Sequence, residues 1–321
     1  MSGYYLIKKG EFAYNKSYSK DAPWGAVKRL DNYDKGVLSS LYIVFKLSSN
    51  IDSDFVAKYF ETSNWHSEVS KRATEGARDH GLLNISASDF LSIEILIPNK
   101  TMEQKEIAQF LKLVDSTLSL HQRKLDNVKM LKKSLLQKLF PKDGEKIPEL
   151  RFPGFTDDWE QRKLGEVVGV NSGRDYKHLE SGNFPVYGTG GYMLSVSEAL
   201  SYTEDAIGIG RKGTIDKPFI LKAPFWTVDT LFYCIPKGEN DLEFVFSLFQ
   251  NITWKKLDES TGVPSLSKQL IDNVRVTIPS EKEQAQLGYI FESINTLISL
   301  HQRKLDHLKE LKKGLLQQMF V

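Results

Sequence analysis

His121-Gln-Arg-Lys-Leu-Asp126 recurs letter for letter as His301-Gln-Arg-Lys-Leu-Asp306, 180 residues further along the chain. Working outward, residues 103–140 align without a gap on 283–320, and 18 of those 38 positions are identical. Both copies open with Glu-Gln (Glu103-Gln104, Glu283-Gln284) and close with Leu-Leu-Gln-x-x-Phe. An internal repeat of this quality decides the architecture before any other signal is weighed. Within each copy the seam residues step by four and three. They are Ile107, Leu111, Val114, Leu118, His121, Leu125, Val128, Lys132, Leu135 and Leu139, then Leu287, Phe291, Ile294, Ile298, His301, Leu305, Leu308, Lys312, Leu315 and Met319. A 3.5-residue period held this long predicts a coiled-coil helix roughly 57 Å in length. Pro98 and Pro279 stand just ahead of the two helices, and Pro141 ends the first. Two matched seams in one chain are expected to pair with each other, antiparallel.

The repeat continues upstream with looser spacing. Gly81…Ile85-Ser86…Ile93…Ile97-Pro98 parallels Gly262…Leu266-Ser267…Val274…Ile278-Pro279, and Phe55-Val56…Phe60…Trp65 parallels Phe244-Val245…Phe249…Trp254. Residues 41–47 and 230–235 are aromatic and β-branched and predict buried strands. Residues 54–66 and 242–256 carry helical spacing, whereas Ile93–Ile97 and Val274–Ile278 alternate like half-buried strands. Pro, Gly and charge concentrate over residues 141–158, a linker composition. The predicted fold class is α+β, with two mixed lobes separated by two long helices that form an antiparallel coiled coil. The expected segments are a first domain over 1–98, a helix over 99–141, a linker over 142–158, a second domain over 159–279 and a helix over 280–321.

Composition sets bounds on function. The 321 residues are 40% hydrophobic and 26% charged, with a formal net charge of only +2, so bulk charge does not argue for nucleic acid. The single cysteine, Cys234, excludes an internal disulfide framework and fits a reducing compartment. No apolar run approaches the roughly 20 residues that span a bilayer, and Met1-Ser-Gly-Tyr-Tyr-Leu-Ile-Lys-Lys9 charges too early for a signal peptide. A cytoplasmic protein without a membrane partner is expected.

Few stretches look chemical. Gly208-Ile-Gly-Arg-Lys-Gly213 spells a dinucleotide-binding fingerprint, but such a site needs a helix behind it, and Pro218 stands where that helix would lie. An enzyme built on this motif is therefore disfavoured. Aligned with Tyr5-Leu-Ile-Lys-Lys-Gly10, the shared feature becomes basic-basic-Gly after a strand: Lys8-Lys9-Gly10 and Arg211-Lys212-Gly213. Tyr187-Gly-Thr-Gly-Gly-Tyr192 reads as a flexible turn between strands, since no Gly-Lys-Ser/Thr follows it. There is no Pro-Pro for a methyltransferase motif, no Gly-x-Ser-x-Gly elbow, no His-Glu-x-x-His pair, and the six histidines lack metal-ligand spacing. From Arg123 to Lys142 there are seven Lys/Arg against Asp126 alone, a surface suited to solvent or to an acidic partner.

With the repeat laid out, the chain resembles the DNA-specificity subunits of type I restriction–modification systems over essentially its whole length. The carrying motifs are Leu150-Arg-Phe-Pro-Gly-Phe155…Trp159-Glu-Gln-Arg-Lys-Leu-Gly-Glu166 opening a half, Ile-Pro then Glu-Gln entering a long helix, and Leu-Lys-Lys-x-Leu-Leu-Gln-x-x-Phe closing it. The resemblance implies a non-catalytic subunit with two target-recognition domains, each reading one half of a bipartite site on double-stranded DNA. It also implies two helices that pair as a spacer and dock the modification subunits, and through them the restriction subunit. No cofactor is expected in this chain, S-adenosylmethionine belonging to the modification partner. About 45 residues, Trp159 to Asp205, have no counterpart ahead of Tyr4, so a truncated first recognition domain, even a silent-cassette form, is expected. The rival from another class is a coiled-coil scaffold that joins two protein-binding domains without touching DNA. The candidate DNA contacts are Arg211, Lys212 and Lys217, then Arg174 and Lys177 after Ser172-Gly173, then Lys255, Lys256 and Lys268, with Lys8 and Lys9 in the first half.

Overall fold

The computed structural model describes residues 3–73, 82–142, 144–258 and 260–320. Gly81, one end of the upstream repeat, lies outside them. The chain divides into two compact units, Met1–Lys124 with His301–Val321 and Leu125–Leu300, so each takes in a part of both long helices.

The first unit begins with β1 (Tyr4–Lys8), β2 (Phe12–Asn15), β3 (Ala26–Arg29), β4 (Lys35–Ser39) and β5 (Tyr42–Phe45). β2 is the centre of an antiparallel β3-β2-β5 sheet, while β1 and β4 form a separate two-stranded ribbon. Three short helices follow, α1 (Ser53–Tyr59), α2 (His66–Arg72) and α3 (Ala87–Leu91), then the long α4 (Thr101–Lys138). The predicted helical spacing over 54–66 thus resolves into two helices, broken between Phe60 and Trp65. The sheet packs its aromatic face on them: Tyr14 stacks on Phe90 at 4.0 Å, and Trp65 meets both Tyr14 and Phe60 edge-on.

In the second unit come β6 (Glu160–Lys163), α5 (Leu164–Val167), β7 (Val168–Ser172), β8 (Ser181–Gly188), β9 (Gly191–Val196), β10 (Ala206–Gly210), β11 (Phe219–Leu221), β12 (Trp226–Thr227) and β13 (Leu231–Pro236). After them lie α6 (Leu242–Asn251), α7 (Lys268–Asn273), β14 (Arg275–Ile278) and the long α8 (Glu281–Met319). β10 lies between β11 and β13 in the antiparallel order β11-β10-β13-β7, β8 lies between β12 and β9, and β14 pairs with β6. The core gathers Trp159, Phe232, Phe244, Phe249, Trp254 and Phe291 around the buried strand β10.

Two predictions change here. Ile93–Ile97 keeps its alternating burial against the first core but forms no strand, because no described strand lies beside it, whereas its counterpart β14 pairs with β6. The equation of Lys8-Lys9-Gly10 with Arg211-Lys212-Gly213 fails as well. By sheet order β2 is the counterpart of β10, β3 of β11 and β5 of β13, so the segment matching Arg211-Lys212 is Lys16-Ser17. The crossing strands agree: Lys16 accepts the N–H of Leu83 at 2.9 Å, and Arg211 accepts that of Leu266 at 2.9 Å. β1 belongs to the ribbon instead.

The seams are buried as the period predicts: all ten predicted positions of each helix are buried or half-buried. In the first unit His121 faces His301 with ring centroids 6.0 Å apart. There α4 descends from His121 toward Ile107 as α8 climbs from His301 to Phe320, whose ring lies 5.1 Å from that of Phe55. In the second, Leu135–Phe140 pack with Phe291 and Leu287, Phe140 and Phe291 being 6.0 Å apart. The helices therefore run antiparallel within each unit.

A buried glutamine explains the second residue of the repeated Glu-Gln. Gln104 accepts the N–H of Asp52 (2.8 Å) and donates to the carbonyl of Pro98 (2.8 Å), while Asp52 caps α1 by accepting from Phe55 (2.9 Å). Gln284 repeats this with Asp241 (3.2 Å) and Pro279 (3.1 Å), and Asp241 caps α6 through Phe244 (2.8 Å). Each glutamine is only 2% exposed. Gln284→Ala would leave a half-buried N–H and a buried carbonyl without this partner, and should lower the unfolding free energy by about 2 kcal/mol in a urea titration.

Desolvation, then Lys304, Lys124 and His301, push the His121 imidazole below its ordinary value of 6.5. The Nδ1 atoms of both histidines are buried without a hydrogen-bond partner. A depressed folded pKa means that the unfolded chain takes up the proton first. The stability held above pH 6.5 is therefore lost as the pH falls through the folded value. The thermal midpoint should be level above that pH and drop by pH about 5.5, with His121→Leu reducing the drop. His66, lowered by its own burial, adds a background of the same sign to both proteins.

Candidate nucleic-acid interface

The loop between β12 and β13, Val228–Thr230, ties three separate segments of the second unit together. Val228 donates to the carbonyl of Tyr187 at the end of β8 (3.0 Å). Thr230 accepts from Arg211 (2.8 Å) and Lys212 (3.3 Å), just past β10. On either side of the loop, Arg174 donates to the carbonyl of Thr227 (2.9 Å) and Gly173 to that of Leu231 (3.1 Å). Trp226, buried beneath, donates its indole N–H to the Arg174 carbonyl at 2.9 Å. Backbone groups are thus consumed in holding the junction, and the side chains of Arg174, Arg211 and Lys212 are left exposed.

Glycine makes the approach possible. A Cβ on Gly173 would lie 2.0 Å from the Val228 oxygen and 2.6 Å from that of Thr227, and one on Gly210 would lie 2.0 Å from the Thr214 oxygen. The Arg211 guanidinium sits 5.8 Å from the Phe232 ring centroid, with Nη1 at 3.5 Å from the Asp229 carbonyl, a loose tether rather than an ion pair. No helix follows Gly213; residues Thr214–Pro218 form a loop into β11, so the dinucleotide fingerprint has no structural counterpart.

The other candidates are distributed more widely. Lys177 is exposed on the loop that carries Arg174. Lys217 follows Asp216, whose carboxyl is held below its ordinary value first by a hydrogen bond from Lys255; that pair is 2.8 Å long, so Lys255 already has a partner. Lys256 lines a groove of about 450 Å³ together with Lys142, Lys146 and Arg275, and Lys268 lines another beside Lys163 and Lys237. Lys8 and Lys9 are exposed at the end of β1, on the two-stranded ribbon of the first unit. Only Arg174, Arg211 and Lys212 are brought to one junction by contacts among the described residues.

Among the described residues there is no group of three or more His, Cys, Asp or Glu that could hold a metal ion. Cys234 is fully buried and its thiol is pushed far up by desolvation, so it is no nucleophile. No helix of the described residues is long and apolar enough to cross a membrane. Sequence reasoning missed the Val228–Thr230 loop, which is uncharged except for Asp229; the only signals were the glycines that converge on it.

A family model, the type I restriction–modification DNA specificity domain, matches residues 3–130 and again 156–310. The chain belongs to the type I restriction–modification DNA specificity family. As a specificity subunit it is a DNA-recognition component rather than a catalyst, in line with what the resemblance implied. It is 23% identical over 323 residues to the MjaVIII type I specificity subunit of Methanocaldococcus jannaschii, covering 88% of this chain and 73% of that one. Two further curated relatives are 23% and 19% identical, and the chain spans 64% and 65% of their length. Among solved structures, the S subunit from Mycoplasma genitalium shares the fold at a TM-score of 0.71 and 20% identity, over 98% of this chain and 84% of that one. A chain from a study of complex assembly and conformational transition in a type I system matches at 0.57 and 14% identity, over 100% and 84%.

The packing at the junction yields a structural prediction for the specificity subunit. Gly173→Ala should force the Arg174 segment away from Thr227 and Val228 and lower the stability by about 1–3 kcal/mol, measured by denaturant unfolding.

Proposed function

We propose that the second recognition domain, residues 159–279, binds one half of a bipartite site on double-stranded DNA through the junction of Arg174, Arg211 and Lys212. The first domain, 1–98, takes the other half. The helices over 99–141 and 280–321, with the linker 142–158 between the halves, dock the modification subunits and, through the complex, the restriction subunit. S-adenosylmethionine is then held by the modification partner, and the complex works in the cytoplasm, where the DNA is. The carrying observation is that three exposed cations from two separate segments, Arg174 on one and the adjacent Arg211 and Lys212 on the other, are tied by backbone hydrogen bonds to residues 227–230. Cations spaced in this way suit the phosphates flanking a groove, which position a protein without reading sequence. Lys177 and Lys217 flank that junction in sequence, while Lys255, Lys256, Lys268, Lys8 and Lys9 stand as outer contacts.

Phosphate contact has a specific signature. Each cation that neutralises a phosphate steepens the salt dependence by about one counterion. Replacing both Arg211 and Lys212 by alanine should weaken cognate and shuffled duplexes alike and lower the salt slope by about two. Fluorescence titrations of the full complex at several salt concentrations measure this. Unchanged affinity and slope would show the turn to be plain solvated surface.

A further inference from the structure

The β8–β9 hairpin is unusual in a chain that is 26% charged: residues 181–197 hold no charged side chain at all. Its two glutamate neighbours lie at the base, where Ser197 donates to the Glu180 carbonyl (2.9 Å) and Glu198 follows, at the end opposite the tip. β12 pairs with β8 only at Val186 and Tyr187. Beyond Tyr187 the sheet is a two-stranded ribbon, with Gly188 opposite Gly191 and Thr189-Gly190 as the turn. Gly191 adopts φ 106°, a conformation that a side chain would strain. Tyr192 is 63% exposed and Met193 49%; Tyr192 pairs with Tyr187, and Met193 is the extra residue at the register shift between that pair and Val186–Leu194.

The base of this ribbon is fixed to the cationic junction. Val228 donates to Tyr187, and a Cβ on Gly188 would lie 3.6 Å from Val228 Cγ2 and 2.8 Å from Met193 Sδ. Two residues beyond Val228, Thr230 accepts from Arg211 and Lys212. A neutral hairpin tip is therefore tied, through Val228, to the loop that holds the three proposed phosphate contacts. A two-stranded ribbon is one of the elements that the major groove admits. Hydroxyl and apolar side chains address base edges there, including the thymine methyl. Like charge would be wasted on the groove floor, while a neutral tip spends its contacts on discrimination.

We infer that the tip of the β8–β9 hairpin enters the major groove of one half-site, and that Thr189, Tyr192 and Met193 determine which bases that half-site contains. This rests on the proposed binding of DNA at the adjacent junction and assigns the base-reading part of it. The side chains are neutral, so their contribution differs in kind from that of the cations. It changes preference among sequences without changing the number of counterions released.

The test uses the full specificity subunit in complex with its modification subunits, with cognate duplexes and duplexes carrying one scrambled half-site. Tyr192→Ala with Met193→Ala should reduce the cognate preference at one half-site by about tenfold or more, leaving the other half-site and the salt slope as they are. Thr189→Val and Tyr192→Phe remove only hydroxyl groups and keep the hairpin folded. At least one of them should shift the half-site preference, as read from the methylated sequences in long-read data. Preference retained by all four substitutions overturns the inference, as does a loss of preference accompanied by a shallower salt slope. If the hairpin variants lose preference while the Arg211 and Lys212 variants keep wild-type slope, the hairpin stands and the phosphate assignment falls. The reverse result removes the hairpin and leaves that assignment intact.

Discussion

One buried amide sets the frame of each unit. Gln104 and Gln284 each join two backbone groups at the start of a long helix, one donor and one acceptor. The amide accepts from the residue that caps the short helix and donates to the carbonyl of the proline before the long one. The entry angle of a 38- or 39-residue helix is thereby fixed against the globular part before any seam contact is made. Hydrophobic burial along the seam then supplies the bulk of the stabilisation, but burial is non-directional and does not select one angle. The directional bond does, which gives a physical reason for finding the same glutamine in both copies.

The long helices were legible because a 3.5-residue period needs no tertiary information, and the seam of ten positions per copy could be written down residue by residue. The strands at β5 and β13 were legible from aromatic and β-branched content. What failed was the pairing of strands. Lys8-Lys9-Gly10 and Arg211-Lys212-Gly213 look alike as letters, yet the equivalence of strands is set by neighbours in a sheet, which local sequence does not record. Ile93–Ile97 failed for a related reason: alternation marks a face that is half buried, and a strand also requires a neighbour to bond with. The cations at the junction were read as groups near a turn, and they are exposed there. The loop that gathers them was invisible, since its contribution is made by carbonyls and amide N–H groups that every residue possesses.

Below the seam the two copies have drifted apart in charge. In the first unit Lys312 contacts Glu61 (2.7 Å) and Asp115 (2.6 Å), and Lys58 contacts the same two carboxylates, closing a neutral four-membered network. The repeat places Lys132, Ser247, Gln250 and Asn295 at the matching positions of the second unit, with one cation and no carboxylate. There the Lys132 ammonium lies 5.7 Å from the Phe246 ring centroid, and desolvation pushes its pKa down. A seam lysine is thus kept at both sites while its counter-ions are not. Its alkyl stem can cover apolar surface at either place, and only the treatment of the charged head has changed.

That division between a fixed frame and a drifting surface bears on how a chain of net charge +2 can recognise DNA at all. Non-specific affinity grows with the number of phosphates neutralised, and a strongly basic surface would hold every sequence alike. On the proposed reading, a nearly neutral chain with a few cations tied to one backbone loop obtains modest affinity from them and leaves discrimination to whatever touches the bases. Recognition then depends on placement more than on total charge. Placement is what Gly173, Gly188 and Gly210 provide, by letting Thr227, Val228, Met193 and Thr214 come closer than a side chain would permit. On the proposed assignment, sequence preference changes through a few exposed residues of the hairpin, while the glycines, the capping aspartates and the buried glutamines stay as they are.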